Sequence, residues 1–253
     1  MQSTQAGTLL RDWRQRRRLS QLELANRAGV SARHVSFVEN GRSQPTSAMI
    51  LRLCDHLAVP LREQNRLLLA AGFAPAHAEH DLQEPSMSQA QQAIQAILTG
   101  HLPHPALVID SGWDIVDANA AAWRWLADVD PALVEPPVNV LRLSLHPDGL
   151  APLIRNLPAW REHLLHRLHR QFDLTADPRL AALMEEFGAP GVPIAEATPA
   201  LVVPLELTLD GVELSLISTT TVFGTPLEVT LSELAIEAFY PADEATRAYL
   251  TSM

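Results

Sequence analysis

Leu19-Ser-Gln-Leu-Glu-Leu-Ala-Asn-Arg-Ala-Gly29-Val-Ser-Ala-Arg-His-Val-Ser-Phe-Val-Glu-Asn-Gly41 carries two helices and the turn between them. Within it, Ser20-Gln21-Leu22-Glu23 has the spacing of a capping box, in which a serine hydroxyl and a glutamate carboxylate each satisfy a backbone N–H at a helix start. The helix that follows is predicted to turn Leu22, Ala25 and Ala28 to one face. It stops at Gly29, where glycine accepts a left-handed turn at little cost. Ser31 is positioned to cap a second helix, with Val35 and Val38 inward and Asn40-Gly41 at its close. Small residues at 25 and 29 allow two helices to cross closely over a short turn.

Working outward, Thr8–Arg17 places Leu9, Leu10 and Trp13 among arginines, an amphipathic helix. Pro45-Thr46 opens a helix with Met49, Leu53 and Leu57 inward, and Leu61–Ala71 forms another. Residues 1–73 therefore read as an all-α domain of five helices. They hold eleven arginines against five carboxylates, a net +6, whereas residues 74–253 hold eight against twenty-four, a net −16, which together give the chain's −10. A basic head suits a polyanion, and an acidic body would be repelled by one.

Residues 74–87 mix proline, histidine and acidic residues without periodicity and read as a linker. From residue 88 to 253 the pattern becomes α+β. Ser88–Leu98 is a helix, and Pro105–Asp110 and Trp113–Ala118 are short strands around Ser111-Gly112. Helices are expected from Asn119 and through Pro131–Phe187, the best of them over Pro158–Asp173. Leu201, Val203, Leu205, Leu207 and Leu209 alternate, Asp210-Gly211 suits a two-residue hairpin turn, and Val212, Leu214 and Leu216 continue the alternation. A last strand is predicted through Leu227, Val229 and Leu231, slipping phase by a bulge to Leu234 and Ile236. These elements make a five-stranded antiparallel sheet with helices.

The string from Leu19 to Gly41, with its neighbours over about residues 7–59, resembles the Cro/C1-type (XRE) helix-turn-helix. That resemblance implies that the helix from Ser31 docks by its N-terminal end in the major groove of double-stranded DNA. With Val35 and Val38 buried, its outer face is Ala32, Arg33, Ser36 and Phe37. Arg33 is suited to a bidentate guanine contact, and Ala32 and Phe37 to thymine methyls. Phe37 has an alternative place folded back into the core. Gln21, Ser31, Arg42 and Ser43 are candidates for positioning contacts, chiefly to phosphate. The resemblance further implies an ion pair between Glu39 and Arg14, and a homodimer on a palindromic operator.

Ala106–Asp110 and Ile115–Ala121 look like the opening of a PAS domain. More narrowly, Pro137–Pro147, Trp160-Arg161, Leu174–Pro178 and Ser218–Thr225 resemble the ligand-binding domain of MmyB-like (MltR-like) regulators. This implies a PAS-type pocket for a small lipophilic, fatty-acyl-like effector, and no other cofactor. Asn139, Arg142 and His146 are candidates to orient the head of such a ligand, with Trp160 as apolar lining. The bland alternatives are an ion pair for Arg142 and a turn for His146-Pro147. A body without ligand, serving dimerisation or protein contacts, is the rival reading. The Ser218–Thr221 hydroxyls line a pocket end or, more commonly in a strand, face solvent and neighbouring strands.

Other classes find little support. No nucleophile elbow, zinc-protease motif, phosphate loop or dinucleotide-binding glycine pattern is present, so no enzyme is expected. His163, His166 and His169 share a helix with Arg161, Arg167 and Arg170, a poor setting for a cation. A single cysteine, Cys54, excludes an internal disulfide and suits a reducing compartment and a core position. Lacking an apolar run of membrane-spanning length, the chain is expected to be cytoplasmic.

Overall fold

The computed structural model describes residues 5–127, 129–188 and 202–252. Contacts divide the chain into two compact units, residues 1–80 with the short segments 173–175 and 226–232, and the remainder.

The first unit holds five helices, α1 (Gln5–Arg16), α2 (Gln21–Ala28), α3 (Ala32–Glu39), α4 (Ser47–His56) and α5 (Leu61–Ala70). The capping box forms as predicted: Ser20 Oγ accepts from the Glu23 N–H, and the Glu23 carboxylate accepts from the Ser20 N–H. Gly29 ends α2 in the left-handed region, with its N–H directed to the Ala25 and Asn26 carbonyls. Ser31 and Thr46 cap α3 and α4 through their hydroxyls. One inward assignment fails. Leu22 is 59% exposed, and Leu24 takes its place in the core beside Ala25 and Ala28. The helix is only eight residues long, so its buried stripe is set by where α3 and α4 lie, and Leu22 falls outside that arc. In α4, Ile50, Leu53 and Cys54 are buried while Met49 is half-buried. Burial and the nearby charge of Asp55 push the Cys54 thiol up to about 12, as befits an unreactive core group.

A buried carboxylate joins α1, α2 and α3. Glu39 is fully shielded from solvent. It accepts from Arg14 Nε at 2.6 Å and from a terminal Arg14 nitrogen at 2.8 Å, and from Gln21 Nε2 at 2.9 Å. Arg11 lies 3.5 Å away. Gly7 of α1 permits this approach, because a Cβ there would stand 2.5 Å from the Val38 carbonyl oxygen.

The second unit contains one antiparallel sheet in the order β2-β1-β5-β4-β3. Its strands are β1 (Ala106–Ile109), β2 (Ile115–Ala118), β3 (Leu205–Leu209), β4 (Val212–Val222) and β5 (Ala235–Pro241). Asp210 and Gly211, both with positive φ, close the β3–β4 hairpin as a type I′ turn requires. The predicted last strand is corrected. Residues 229–233 form a short helix, α11 (Val229–Glu233), and only the part from Ala235 onward pairs in the sheet. Glu228 explains the change, since its carboxylate accepts from the Leu231 N–H and supplies a helix start where the alternation had suggested a strand. Leu201, the first member of the predicted β3 alternation, lies outside the described residues.

Leu205, Leu207, Leu214, Leu216 and Phe239 form the inner face of the sheet. Against this core pack Leu141 and Leu143 of α8 (Val140–Leu145), Trp160, Leu164 and Leu168 of α9 (Leu157–Thr175), and Leu180 and Leu183 of α10 (Pro178–Phe187). The other face is covered as well: Ala106, Val108, Ile236 and Ala238 are buried, and α6 (Ser88–Gly100) lies against β1. The remaining helices are α7 (Ala120–Arg124), which follows β2, and the terminal α12 (Glu244–Ser252). Asn119 secures the entry to α7. Its Oδ1 accepts from the Ala106 and Ala122 N–H groups, and its Nδ2 donates to the Leu98 and His104 carbonyls.

Burial alone would raise the Glu39 carboxyl, but hydrogen bonds from Arg14 and Gln21, with the charges of Arg14 and Arg11, hold it below the ordinary carboxylate value. A depressed folded-state value adds stability above the unfolded value, lost as pH falls through the folded one. We predict that Glu39→Ala destabilises the first unit by about 3–5 kcal/mol, since Arg14 is left buried without its partner. Glu39→Gln should flatten the acid limb of stability. Hydrogen exchange of the α1–α3 amides across pH measures both.

Candidate functional site

The outer surface of α3 begins at Ser31, whose hydroxyl accepts from the His34 N–H at 3.1 Å and fixes the helix start. Arg33 is exposed, while Ala32, Ser36 and Phe37 are half-buried. Phe37 is neither a free side chain nor part of the deep core. The Arg33 guanidinium carbon lies 5.0 Å from its ring centroid and that of Arg42 lies 6.0 Å away. The aromatic face thus orients two arginines separated by the end of α3, through cation–π attraction. After the helix, Gly41 turns with positive φ, and the Arg42 and Ser43 N–H groups both donate to the Phe37 carbonyl. Ser36 accepts from Asn40 Nδ2, and Arg11 donates to Asn40 Oδ1 at 2.5 Å. Gln21 stands at the first turn of α2 with one amide N–H engaged by Glu39. The eight residues singled out from sequence therefore occupy α2, α3 and the turn after it, and Phe37 bridges two of them. That bridge was not foreseen, because the turn geometry that brings Arg42 back to the ring is not encoded in helical spacing.

The second unit contains an apolar cavity between the sheet and its helices, partly open to solvent. Leu107, Leu205 and Phe239 line it from the sheet, Leu143 and Ser144 from α8, and Trp160 and Leu164 from α9. Trp123, Trp125 and Leu126 close it beside α7, and Trp113 and Ile115 border it near β2. Glu237 is its charged lining residue. It is 7% exposed and ion-paired with Arg167 of α9, whose guanidinium carbon lies 5.0 Å from the Trp113 ring centroid.

Of the four ligand candidates, only Trp160 borders this cavity. Asn139 is 4% exposed and its side chain is engaged within the protein: it donates to the Gly112 carbonyl and Asp114 Oδ1 and accepts from the Leu141 and Arg142 N–H groups at the start of α8. Arg142 is ion-paired with Glu186 at 2.8 Å, the alternative left open for it. His146 ends α8 in a turn, where its Nδ1 accepts from the Asp148 N–H and its carbonyl from the Gly149 N–H. None of the three is among the residues that line the cavity, for one reason. The segment that holds them spends its polar groups on building α8 and joining it to the Gly112–Asp114 turn and to α10.

Trp125 and Glu237 were missed. Reading Ile236 as the inward residue of the last strand hid Glu237, and only the burial of both sheet faces reveals it. Five tryptophans are present, and their indoles differ in a telling way. Trp113 Nε1 donates to Gln171 at 2.7 Å and Trp123 Nε1 to the Ala118 carbonyl at 3.1 Å. The Nε1 groups of Trp125 and Trp160 are buried with no hydrogen-bond partner among the described residues. Leaving such a donor unpaired costs about 1–3 kcal/mol. His163 stacks on Trp160 at 5.3 Å, and burial, aided by the charge of Arg167, holds its imidazole below the ordinary value. Among the described residues no three His, Cys, Asp or Glu side chains converge as a metal site.

Residues 90–253 match the family model described as the MmyB-like transcription regulator ligand binding domain. The chain belongs to the MmyB-like transcription regulators. Residues 5–67 match a helix-turn-helix domain, so this MmyB-like chain pairs a DNA-binding head with a domain for a small-molecule effector. Both are domains of transcription regulators rather than of enzymes. No curated protein matches the chain at a significant level. No helix among the described residues is long and apolar enough to cross a membrane.

The contrast between two neighbours on α8 is testable. We predict that Asn139→Ala lowers stability of the second unit by about 1–3 kcal/mol, because buried partners lose their bonds. Arg142→Ala should cost less than about 1 kcal/mol, since its ion pair is half-exposed. Hydrogen exchange of the α8 and β2 amides distinguishes the two.

Proposed function

We propose that this protein is a one-component regulator: a homodimer binds a roughly palindromic operator, and a small lipophilic, fatty-acyl-like ligand in the second unit alters its affinity. Exposed Arg33, held over Phe37 at the open end of α3, is the observation that carries the DNA-binding half. The guanidinium reads base edges, Ala32, Ser36 and Phe37 make the flanking contacts, and Gln21, Ser31, Arg42 and Ser43 anchor the backbone. The net +6 of residues 1–73 against −16 for the rest favours confinement of DNA contact to the head. Two heads on one duplex would meet half-sites about one helical turn apart. The apolar cavity supports the effector half of this reading over a body that works through protein contacts alone.

The test begins with operator sequences selected from random DNA by the full chain. Arg33→Ala should weaken the selected operator by about 1–3 kcal/mol and relax preference at one base position in each half-site. Arg42→Ala should weaken all sequences alike and reduce the salt slope by about one. Native mass spectrometry of the DNA complex should give two chains per operator. Adding octanoate or methyl octanoate should change operator affinity by a factor of about 5–150. Indifference of operator binding to Arg33→Ala, or to both lipids, would remove the corresponding half of the reading.

A further inference from the structure

The wall of the cavity carries an asymmetry of hydrogen-bonding groups. Trp125 and Trp160 are 8% and 4% exposed, and each bears a buried indole N–H with no partner among the described residues. An indole nitrogen donates only, so what these groups lack is an acceptor. The charged group of the wall, Glu237, is ion-paired with Arg167, although its Oε1, like the two indoles, makes no hydrogen bond among the described residues. Arg142, a strong cation suited to a carboxylate, is paired with Glu186 and does not line the cavity. His163, beside Trp160, is held below the ordinary imidazole value by burial and by the charge of Arg167.

We propose that the ligand of this cavity is a neutral molecule whose carbonyl or ester oxygen accepts from the indoles of Trp125 and Trp160, rather than a free fatty acid. This rests on the lipophilic-effector reading above and narrows its chemistry. An ionised carboxylate would enter an apolar wall beside Glu237 with no cation among the described lining residues to receive it, and burying an unpaired charge is costly. An ester or amide carbonyl brings the acceptor without the charge. Leu143, Leu164, Leu205 and Phe239 receive the apolar remainder. Trp113 and Trp123 border the same space, but their N–H groups are engaged and serve as internal controls.

The experiment uses the full chain labelled with ¹⁵N-tryptophan, titrated with methyl octanoate and, separately, with octanoate. Trp125→Phe and Trp160→Phe assign the two indole resonances. Methyl octanoate should bind at least about tenfold more tightly than octanoate and move both resonances downfield, with the Trp113 and Trp123 indoles shifting less. Each Phe variant should weaken ester binding by about 2- to 12-fold, the effect of one ordinary hydrogen bond. Glu237→Gln should improve octanoate binding and narrow the gap, because Arg167 then lacks its carboxylate. Should a Phe variant fold poorly, through-space contacts in the wild-type chain assign the same indole resonances, so the result stays readable. Tighter binding of octanoate, or ester binding that leaves either indole unmoved, overturns the neutral-acceptor proposal while the lipophilic-effector reading stands. Binding of neither probe overturns both.

Discussion

A polar group taken out of water must find a partner inside the protein, and that requirement sets the geometry of both units. In the first, the carboxylate of Glu39 can be buried only where Arg14 and Gln21 reach it, which fixes α1 and α2 against the end of α3. The outer face of α3 is presented in one orientation because its inner end is anchored by charge as well as by Val35 and Val38. In the second unit Asn119 and Asn139 play the comparable part, each meeting several backbone groups at the start of a helix. These bonds position α7 and α8, and those helices in turn supply walls of the cavity.

Against that background the two bare indoles stand out. The side chain of Asn119 is fully engaged, whereas the Trp125 and Trp160 indoles have no partner among the described residues beside an apolar cavity. A partly satisfied polar site is costly in a packed core, and it is best accommodated where a ligand completes it. The cavity and α3 therefore share a feature. Both hold donors in a fixed place: arginine over the Phe37 ring, and indole in an apolar wall.

The division of charge along the chain complements this arrangement. Arginines in the head concentrate attraction for phosphate there, and the acidic remainder keeps the rest of the surface from competing for it. Phe37 adds local order within the basic surface. A guanidinium resting on an aromatic ring loses less freedom on binding than one waving in solvent, which favours selective contacts over merely electrostatic ones.

Short-range signals in the sequence determined much of this. The capping box at Ser20, the left-handed stop at Gly29, the Ser31 cap and the Asp210-Gly211 hairpin depend on a few consecutive residues, and each formed as its chemistry dictates. The Arg14–Glu39 pair was legible only as something the helix-turn-helix resemblance implied, and the structure forms it. Tertiary structure alone decided the rest. Leu22 and Met49 yielded core positions to Leu24 and Ile50 once neighbouring helices chose the buried arc, and Glu228 turned an alternating run into α11. Glu237 faced the cavity because both sides of the sheet are covered, so alternation no longer distinguished inside from outside. The loss of Asn139, Arg142 and His146 from the cavity has the same origin. Local pattern specifies which conformation a segment can adopt, whereas the partner of a side chain depends on which distant segment packing brings beside it.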